Sequence, residues 1–174
     1  FERMSTIENY QEDGSAMGRI NAWYFAINLA NDHPITGGGF RTFRKSLFLI
    51  YAPDPEDFHD AHSIYFEVLG EQGYVGLFLF LSIWLGTWLK ASRIIRRTRG
   101  DPGLDWAGNL ASMCQVALVG YGTGGAFLGL AYFDLPYHIM AMIIVLDEIV
   151  RRQQREQLVE ASHSGGQRER RGPG

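Results

Sequence analysis

The sequence predicts a mainly α-helical membrane protein, with about three transmembrane helices and a large helical loop outside the bilayer. Three observations lead to this prediction. The 174-residue chain contains three long apolar runs, lysine and arginine cluster after the first and third of them, and apolar residues before the first run recur at helical spacing. The mean hydropathy of −0.10 hides these runs, because it averages them with a polar loop and a polar tail.

Residues 1–72 form the predicted loop outside the bilayer, in which acidic residues outnumber basic ones. An amphipathic helix is expected over residues 16–30, with Ser15 as its N-cap and Arg19 in its first turns. His33-Pro34 follows this helix and is expected to end it. The apolar residues that recur here at helical spacing are Ile20, Trp23, Tyr24, Ile27 and Ala30.

The second half of this loop contains a triple glycine and two further predicted helices. Residues 37–39 are expected to form a turn, and a short helix after them is expected to end at Tyr51. Another helix begins after His62 and leads into the first apolar run. Glu67 and Glu71 lie on this helix, and we expect both carboxylates to be solvated or to lie at the membrane interface.

The three apolar runs give the predicted transmembrane helices. The first, residues 73–89, is uncharged and would measure roughly 25 Å as a helix. The second and third are expected at residues 106–133 and 134–150. Basic residues concentrate in the loop 90–105 and in the tail 151–174, which predicts that both face the cytoplasm and that the large loop is periplasmic. The tail is expected to be disordered, because it has too few apolar residues to bury.

Composition excludes several classes of protein. The net charge of −3 gives no support for nucleic-acid binding. The single cysteine, Cys114, lies in an apolar run, which excludes an internal disulfide framework and a site with several cysteine ligands. The chain begins at Phe1 without a signal peptide, and we expect it to be part of a longer protein.

Four cationic side chains in the loop are candidates for binding an anion with several oxygens. Arg41, Arg44 and Lys45 follow the triple glycine, and Arg19 is expected near a helix N-terminus. Guanidinium groups bind phosphate oxygens in pairs, and free backbone amides would add to them. The alternative is that these side chains are solvated beside an ordinary turn, since Gly-Gly-Gly matches no nucleotide-binding fingerprint.

Two histidines precede the first predicted transmembrane helix. His59 and His62, with Asp57 and Asp60, offer the ligand types of a metal site. Their spacing is not that of a helical zinc pair, so we predict no metal. An imidazole near the membrane suits a general base, because its ordinary pKa lies near neutral pH. The alternative for His62 is a structural one, in which the side chain caps the helix that follows.

Several sequence elements resemble the O-antigen ligases and the related O-antigen polymerases. The ligase signature is matched by His62-Ser63, followed after nine residues by Gly73-x-x-Gly76. The stretches from Ser15 to Trp23 and from His33 to Phe40 resemble the segment that precedes this signature. The run from Ala131 to His138 is most similar to the O-glycosylation ligases associated with exosortase A systems.

This resemblance implies a multi-pass enzyme of the bacterial inner membrane that needs no metal or cofactor. Such enzymes take a glycan from an undecaprenyl-pyrophosphate carrier at the periplasmic face and join it to an acceptor hydroxyl of a protein or lipid. By the same resemblance, His62 is the catalytic base and Arg19 is the catalytic arginine that holds the pyrophosphate. Arg41, Arg44 and Ser63 are assigned to substrate binding, and transfer is expected to invert the anomeric carbon. A polymerase with a second lipid-linked glycan as acceptor, and a non-catalytic membrane scaffold, remain alternatives.

Overall fold

The computed structural model describes the backbone of residues 2–170 and the side chains of residues 15–160 and 163. The described residues form helices, turns and bends and contain no strand, which confirms the predicted mainly α class. Two compact units are present. The first runs to Ile83 and includes Gly120–Phe133, and the second holds Trp84–Val119 and the residues from Asp134 onward. The helices are α1 (Glu2–Asp32), α2 (Lys45–Tyr51), α3 (Ile64–Thr98), α4 (Asp105–Gly125) and α5 (Leu135–Arg170).

Helix α1 ends at Asp32, directly before His33-Pro34 as predicted, but it begins earlier than the sequence indicated. The helix starts at Glu2, so Ser15 lies inside it and is not the N-cap. The residues before Ser15 include no proline and six strong helix formers, which is compatible with the longer helix. Arg19 therefore lies within the helix, and the expected help from a positive helix end is absent at that position.

The core of the first unit joins α1 to α2. The rings of Phe25 and Phe48 stack with centroids 4.2 Å apart, and Phe58 packs edge-on against Phe48 at 4.9 Å. Both Phe25 and Phe48 are fully buried. Burial of such aromatic side chains contributes roughly 1.5–3 kcal/mol each. This packing fixes the short helix α2, and with it the loop on either side, against the second half of α1.

Helix α3 is the described helix that is long and apolar enough to cross a membrane. Its path is interrupted at Gly73, whose φ of 67° and ψ of −169° are not helical. The two further predicted spans correspond to α4 and to the start of α5. Neither meets the same measure of length and hydropathy, because α4 contains many glycine and polar residues and α5 is charged from Asp147 onward.

In the second unit, α3, α4 and α5 pack around one hydrophobic core and leave large apolar side chains on the outside. Leu85 of α3 is 59% exposed, Val116 of α4 is 70% exposed and Ile144 of α5 is 57% exposed. Extensive exposed apolar surface is rare on proteins surrounded by water. These faces therefore suit a lipid environment. The core contains Ala91, Ile94, Leu104, Ala107, Ala111, Cys114, Leu118, Ile139, Met140, Ile143, Leu146 and Val150.

Two segments differ from the sequence prediction. Helix α4 ends at Gly125, where the second predicted span was expected to continue to residue 133, and turns follow. The predicted disordered tail, 151–174, is helical through Arg170 as the last part of α5, and residues 171–174 lie outside the described residues. Helical backbone hydrogen bonds are local and do not require a buried apolar face. An ion pair between Arg152 and Glu156, 3.1 Å apart and four residues apart in sequence, adds to the helix.

Candidate active site

His62 lies two residues before the start of α3 and is held in an uncommon backbone conformation. Its φ is 43°, in the left-handed region that non-glycine residues rarely adopt. The residue is exposed, whereas its neighbours Ala61 and Ser63 are each 1% exposed. Left-handed residues cost of order 1–3 kcal/mol and persist where the surrounding structure fixes them. Two buried neighbours therefore hold an exposed imidazole at the start of the helix.

Ser63 directly precedes α3 and is enclosed by the protein. Its carbonyl oxygen accepts a hydrogen bond from the N–H of Glu67 at 2.9 Å, which forms the first turn of the helix. At 1% exposure, its side chain is enclosed beside the exposed His62. The direct substrate contact that the sequence predicts for Ser63 stays a prediction.

Trp23 connects α1 to the segment that carries His62. Its indole Nε1 donates a hydrogen bond to the carbonyl oxygen of Ala61 at 2.8 Å. Its ring stacks on Phe66 of α3, with centroids 4.8 Å apart and planes 10° apart. Trp23 lies four residues after Arg19, on the same face of α1. The structure therefore brings the face of α1 that carries Arg19 to the segment that carries His62.

A second contact joins these segments one residue before Arg19. A β-carbon at Gly18 would lie 2.4 Å from Nδ1 of His59, so the imidazole of His59 packs directly on the helix backbone there. Nδ1 of His59 is also 2.9 Å from a carboxylate oxygen of Asp57. In the part of the chain that the structure describes, no three histidine, cysteine or acidic side chains converge as metal ligands.

Asn21 is a site-forming residue that sequence reasoning missed. Its Nδ2 donates to the carbonyl oxygens of Asp54 and Asp57 at 2.7 and 2.9 Å, and its Oδ1 accepts the N–H of Asp54 at 2.9 Å. These bonds fasten the loop between α2 and α3 to α1. An asparagine between apolar helix residues was the available signal, since a buried amide must find hydrogen-bond partners.

Arg41 is the other non-glycine residue with positive φ in the described part of the chain, at 58°. Its backbone N–H donates to Oε1 of Glu71 at 2.6 Å. Glu71 is 6% exposed, which contradicts the expectation that this carboxylate is solvated or interfacial. Its Oε2 accepts a hydrogen bond from the hydroxyl of Tyr132 at 2.5 Å. A buried carboxylate on α3 therefore fixes the backbone of the loop that presents Arg41.

Tyr132 lies in the turns after α4 and closes this network. Its hydroxyl donates to Glu71 and accepts a hydrogen bond from Nε2 of Gln72 at 3.0 Å. Its ring packs against Phe40, with centroids 5.6 Å apart. Burial raises the pKa of Tyr132, and its hydrogen bond to Glu71 raises the pKa further. The hydroxyl therefore remains protonated and keeps its role as a donor.

The break in α3 at Gly73 changes which carbonyl oxygens are available. The N–H groups of Tyr74 and Val75 both turn to the carbonyl oxygen of Pro34, at 2.9 and 3.4 Å. In an uninterrupted helix they would bond to the carbonyl oxygens of Gly70 and Glu71. Those two oxygens therefore need other donors.

The triple glycine supplies these donors. Gly38 N–H bonds to the carbonyl oxygen of Gly70 at 2.8 Å, and Gly39 N–H bonds to that of Glu71 at 2.9 Å. A β-carbon at Gly37 would lie 2.6 Å from backbone atoms of α3, so the approach requires glycine there. The expectation that these amides are free to bind an anion is wrong, because the end of the helix segment uses them.

The candidate phosphate-binding side chains differ in position. Arg19 is half-buried on α1, while Arg41, Arg44 and Lys45 are exposed. Arg44 lies at the N-cap of α2 in an extended conformation. None of the described carboxylates forms an ion pair with these four side chains. They are therefore available to an anionic ligand, and Arg41 is the one whose backbone α3 fixes directly.

Comparison with known proteins agrees with the resemblance read from the sequence. Residues 1–81 match the family described as O-antigen ligase. The matched part, somewhat less than half of the chain, contains Arg19, the triple glycine, His62 and Gly73-x-x-Gly76. No curated protein and no solved structure matches the chain. The similarity to O-antigen ligases supports a membrane protein with a ligase-type or polymerase-type function on glycans.

Proposed function

We propose that the protein is a glycan ligase that transfers a glycan from an undecaprenyl-pyrophosphate carrier to an acceptor hydroxyl at the periplasmic face of the bacterial inner membrane. The observation that carries this proposal is the pair Arg41 and His62. They are the non-glycine residues of the described chain with positive φ, and both are exposed. Both lie in the part similar to O-antigen ligases, where strained backbone at exposed polar residues favours a functional site.

The proposed transfer uses side chains of this chain and no metal or cofactor. The acceptor hydroxyl attacks the anomeric carbon from the side opposite the pyrophosphate, and His62 takes the hydroxyl proton. The bond from the anomeric carbon to the carrier oxygen breaks, and its electron pair leaves with the pyrophosphate. Arg19 and Arg41 stabilise the charge that develops there, with Arg44 as a further phosphate contact. Attack from the opposite side inverts the anomeric configuration.

Glu71 supports this proposal by fixing the loop of Arg41. Its side chain accepts the N–H of Arg41, and its backbone carbonyl accepts the N–H of Gly39. One residue of α3 thus holds two backbone positions of the loop. A guanidinium on a fixed loop loses less conformational freedom when it binds a phosphate than one on a mobile loop. We therefore assign Glu71 as a positioning residue for donor binding.

The placement of the site in the membrane rests on helix α3. His62 precedes its first residue, and the uncharged stretch 73–89 separates that end from Lys90 and the arginines that follow. Basic residues favour the cytoplasmic end of a transmembrane helix, so His62 belongs at the periplasmic end. The exposed apolar faces of α4 and α5 support two further passes through the bilayer. Because the run Ala131–His138 is similar to the O-glycosylation ligases associated with exosortase systems, we propose that the enzyme is of that kind.

The deciding experiment compares the full-length membrane protein with its His62→Ala variant in liposomes. The substrates are an undecaprenyl-pyrophosphate glycan and candidate protein or lipid acceptors, and the readout is glycan joined to acceptor. Loss of a positioned general base should lower the rate by roughly 10²- to 10⁴-fold. His163→Ala, an exposed histidine on α5, is the matched control and should keep the wild-type rate.

The same assay separates the alternatives. A ladder of longer lipid-linked glycans, formed without any added acceptor, would identify a polymerase. Transfer by His62→Ala at the wild-type rate would refute the catalytic assignment of His62. Absence of transfer by the wild-type protein itself would favour a non-catalytic scaffold.

A further inference from the structure

The second unit contains a cluster of charged side chains around Asp147 that the proposed transfer reaction does not use. The side chain of Asp147 is 5% exposed. Its carboxylate lies 3.3 Å from Nζ of Lys90, 3.1 Å from a guanidinium nitrogen of Arg97 and 2.9 Å from one of Arg151. A single carboxylate cannot neutralise three cations. The cluster therefore leaves an excess of positive charge beside the apolar stretches of α3 and α5.

The outer sides of two of these arginines border a cavity of about 320 Å³. The cavity is lined by Arg97, Arg151, Gln154, Arg155 and Leu158. A guanidinium carries five N–H donors, and Arg97 and Arg151 each contact Asp147 through one nitrogen. Both side chains are about two-fifths exposed, which leaves donors free to face the cavity. Three of the five lining residues are arginines, and none of the five is acidic.

The walls of the cavity are fixed to each other. Gln154 of α5 donates from Nε2 to the backbone carbonyl of Arg97 on α3 at 3.3 Å, and Asp147 joins the same two helices through Arg97 and Lys90. Arg97 and Arg151 are therefore held in position before any ligand arrives, which reduces the entropy lost on binding.

A neighbouring cavity provides a contrast within the same unit. It has a similar volume of about 300 Å³, and its lining includes Glu156 and Glu160 but no lysine or arginine. The positive lining is therefore a property of one side of α5 and is not shared by every hollow on this polar part of the helix.

We propose that the arginine-lined cavity binds the phosphate group of an anionic phospholipid. Three guanidinium groups match the several oxygens of a phosphate, which they can grip in pairs. The cavity follows the apolar part of α3, on the side where lipid headgroups lie when α3 crosses the membrane. Basic pockets beside transmembrane helices are suited to anionic headgroups. The proposal requires α3 to cross the membrane but does not depend on the transfer reaction.

The test titrates the detergent-purified full-length protein with dioctanoyl-phosphatidylglycerol and follows its thermal unfolding temperature. Dioctanoyl-phosphatidylcholine is the zwitterionic control and should give no saturable shift. Arg155→Gln removes one lining cation that does not contact Asp147, so the ion-pair cluster stays intact. This variant should weaken the apparent affinity for phosphatidylglycerol about fivefold, the effect expected for one arginine at an anionic surface.

Arg93→Gln is the matched control, because it removes the same charge from an exposed position of α3 outside the cavity. Its affinity should fall less than that of Arg155→Gln, because Arg93 does not line the cavity and its side chain cannot contact a phosphate bound there. Equal weakening by both substitutions would show diffuse attraction to surface charge and would overturn the proposed site. An equal shift with inorganic phosphate alone, abolished by Arg155→Gln, would overturn the assignment to a lipid.

Discussion

The backbone N–H of Arg41 points at a buried carboxylate oxygen of Glu71, 2.6 Å away, although the two residues are thirty positions apart in sequence. This contact links a loop residue in a left-handed conformation to α3, nine residues after His62. Residues assigned to phosphate binding and to proton transfer are thereby attached to the first part of the same helix. Substitutions at Glu71 should consequently affect the donor site without touching the chemical groups themselves.

Glu71→Gln should raise the KM for the lipid-linked donor several-fold and leave the KM for the acceptor unchanged. Glutamine has the same shape but replaces one acceptor oxygen with an NH₂ group. Either the N–H of Arg41 or the hydroxyl of Tyr132 therefore loses its acceptor. The measurement is initial-rate kinetics with each substrate varied in turn.

Glu148→Gln, at an exposed carboxylate of α5, is the control for loss of a charge and should leave both constants unchanged. Equal changes in donor and acceptor constants for Glu71→Gln would contradict a positioning role. A lower amount of folded protein with unaltered kinetic constants would show that Glu71 is structural only.

Tyr132→Phe should lower the thermal stability, because Oε2 of Glu71 loses the hydroxyl that donates to it inside a buried site. A buried acceptor left without its donor costs roughly 1–3 kcal/mol. The loss should be smaller when Glu71 is already glutamine, since residues in one network are not additive. Tyr24→Phe, on an exposed tyrosine of α1, is the control and should have little effect. Additive losses from Tyr132→Phe and Glu71→Gln would contradict the direct hydrogen bond between Tyr132 and Glu71.

The predictable part of this fold follows from local pattern. Apolar spacing and the His33-Pro34 pair identify the second half of α1 and its end, and the uncharged run identifies α3. The start of α1 was placed too late, because Ser15 is a good N-cap in isolation but nothing before it stops a helix. Local patterns of this kind cannot tell whether a stretch of good helix formers continues an existing helix.

Distant contacts are the part that the sequence could not supply. Glu71 looks like an ordinary helix carboxylate until Tyr132, sixty-one residues later, donates to it. The triple glycine looks like an anion-binding turn until Gly70 and Glu71 are seen to accept its amides. The O-antigen ligase signature marks His62, and phosphate chemistry beside the triple glycine marks Arg41, but the positive φ of both residues is visible only in the structure. Hydrogen bonds between residues far apart in sequence depend on the tertiary fold, which the chemistry of each residue taken alone does not specify.

Gly73→Ala should destabilise the protein more than Gly39→Ala, although both glycines have positive φ. At Gly39 an added β-carbon meets nothing within 4 Å, so the cost is the left-handed conformation alone, roughly 1–2 kcal/mol. At Gly73 the β-carbon would lie 2.6 Å from the carbonyl oxygen of Pro34, a backbone atom that cannot turn away. The backbone hydrogen bonds between residues 34–39 and α3 would then be disturbed. Thermal unfolding of both variants measures the difference, and equal losses would contradict a tight approach at Gly73.

Arg19→Gln should raise the KM for the donor about tenfold to a hundredfold, the range expected when one charge-assisted hydrogen bond to a phosphate is lost. The side chain is half-buried on α1 and has no acidic partner among the described residues, so its charge is free for a ligand. Arg93→Gln removes a charge from an exposed residue of α3 outside the candidate site and should change the donor KM by less than about threefold. Donor titrations at fixed acceptor concentration compare the two variants, with the acceptor KM as an internal reference. If Arg19→Gln alters the acceptor KM and spares the donor KM, the pyrophosphate must bind elsewhere, and the guanidinium on α1 would then serve the attacking hydroxyl.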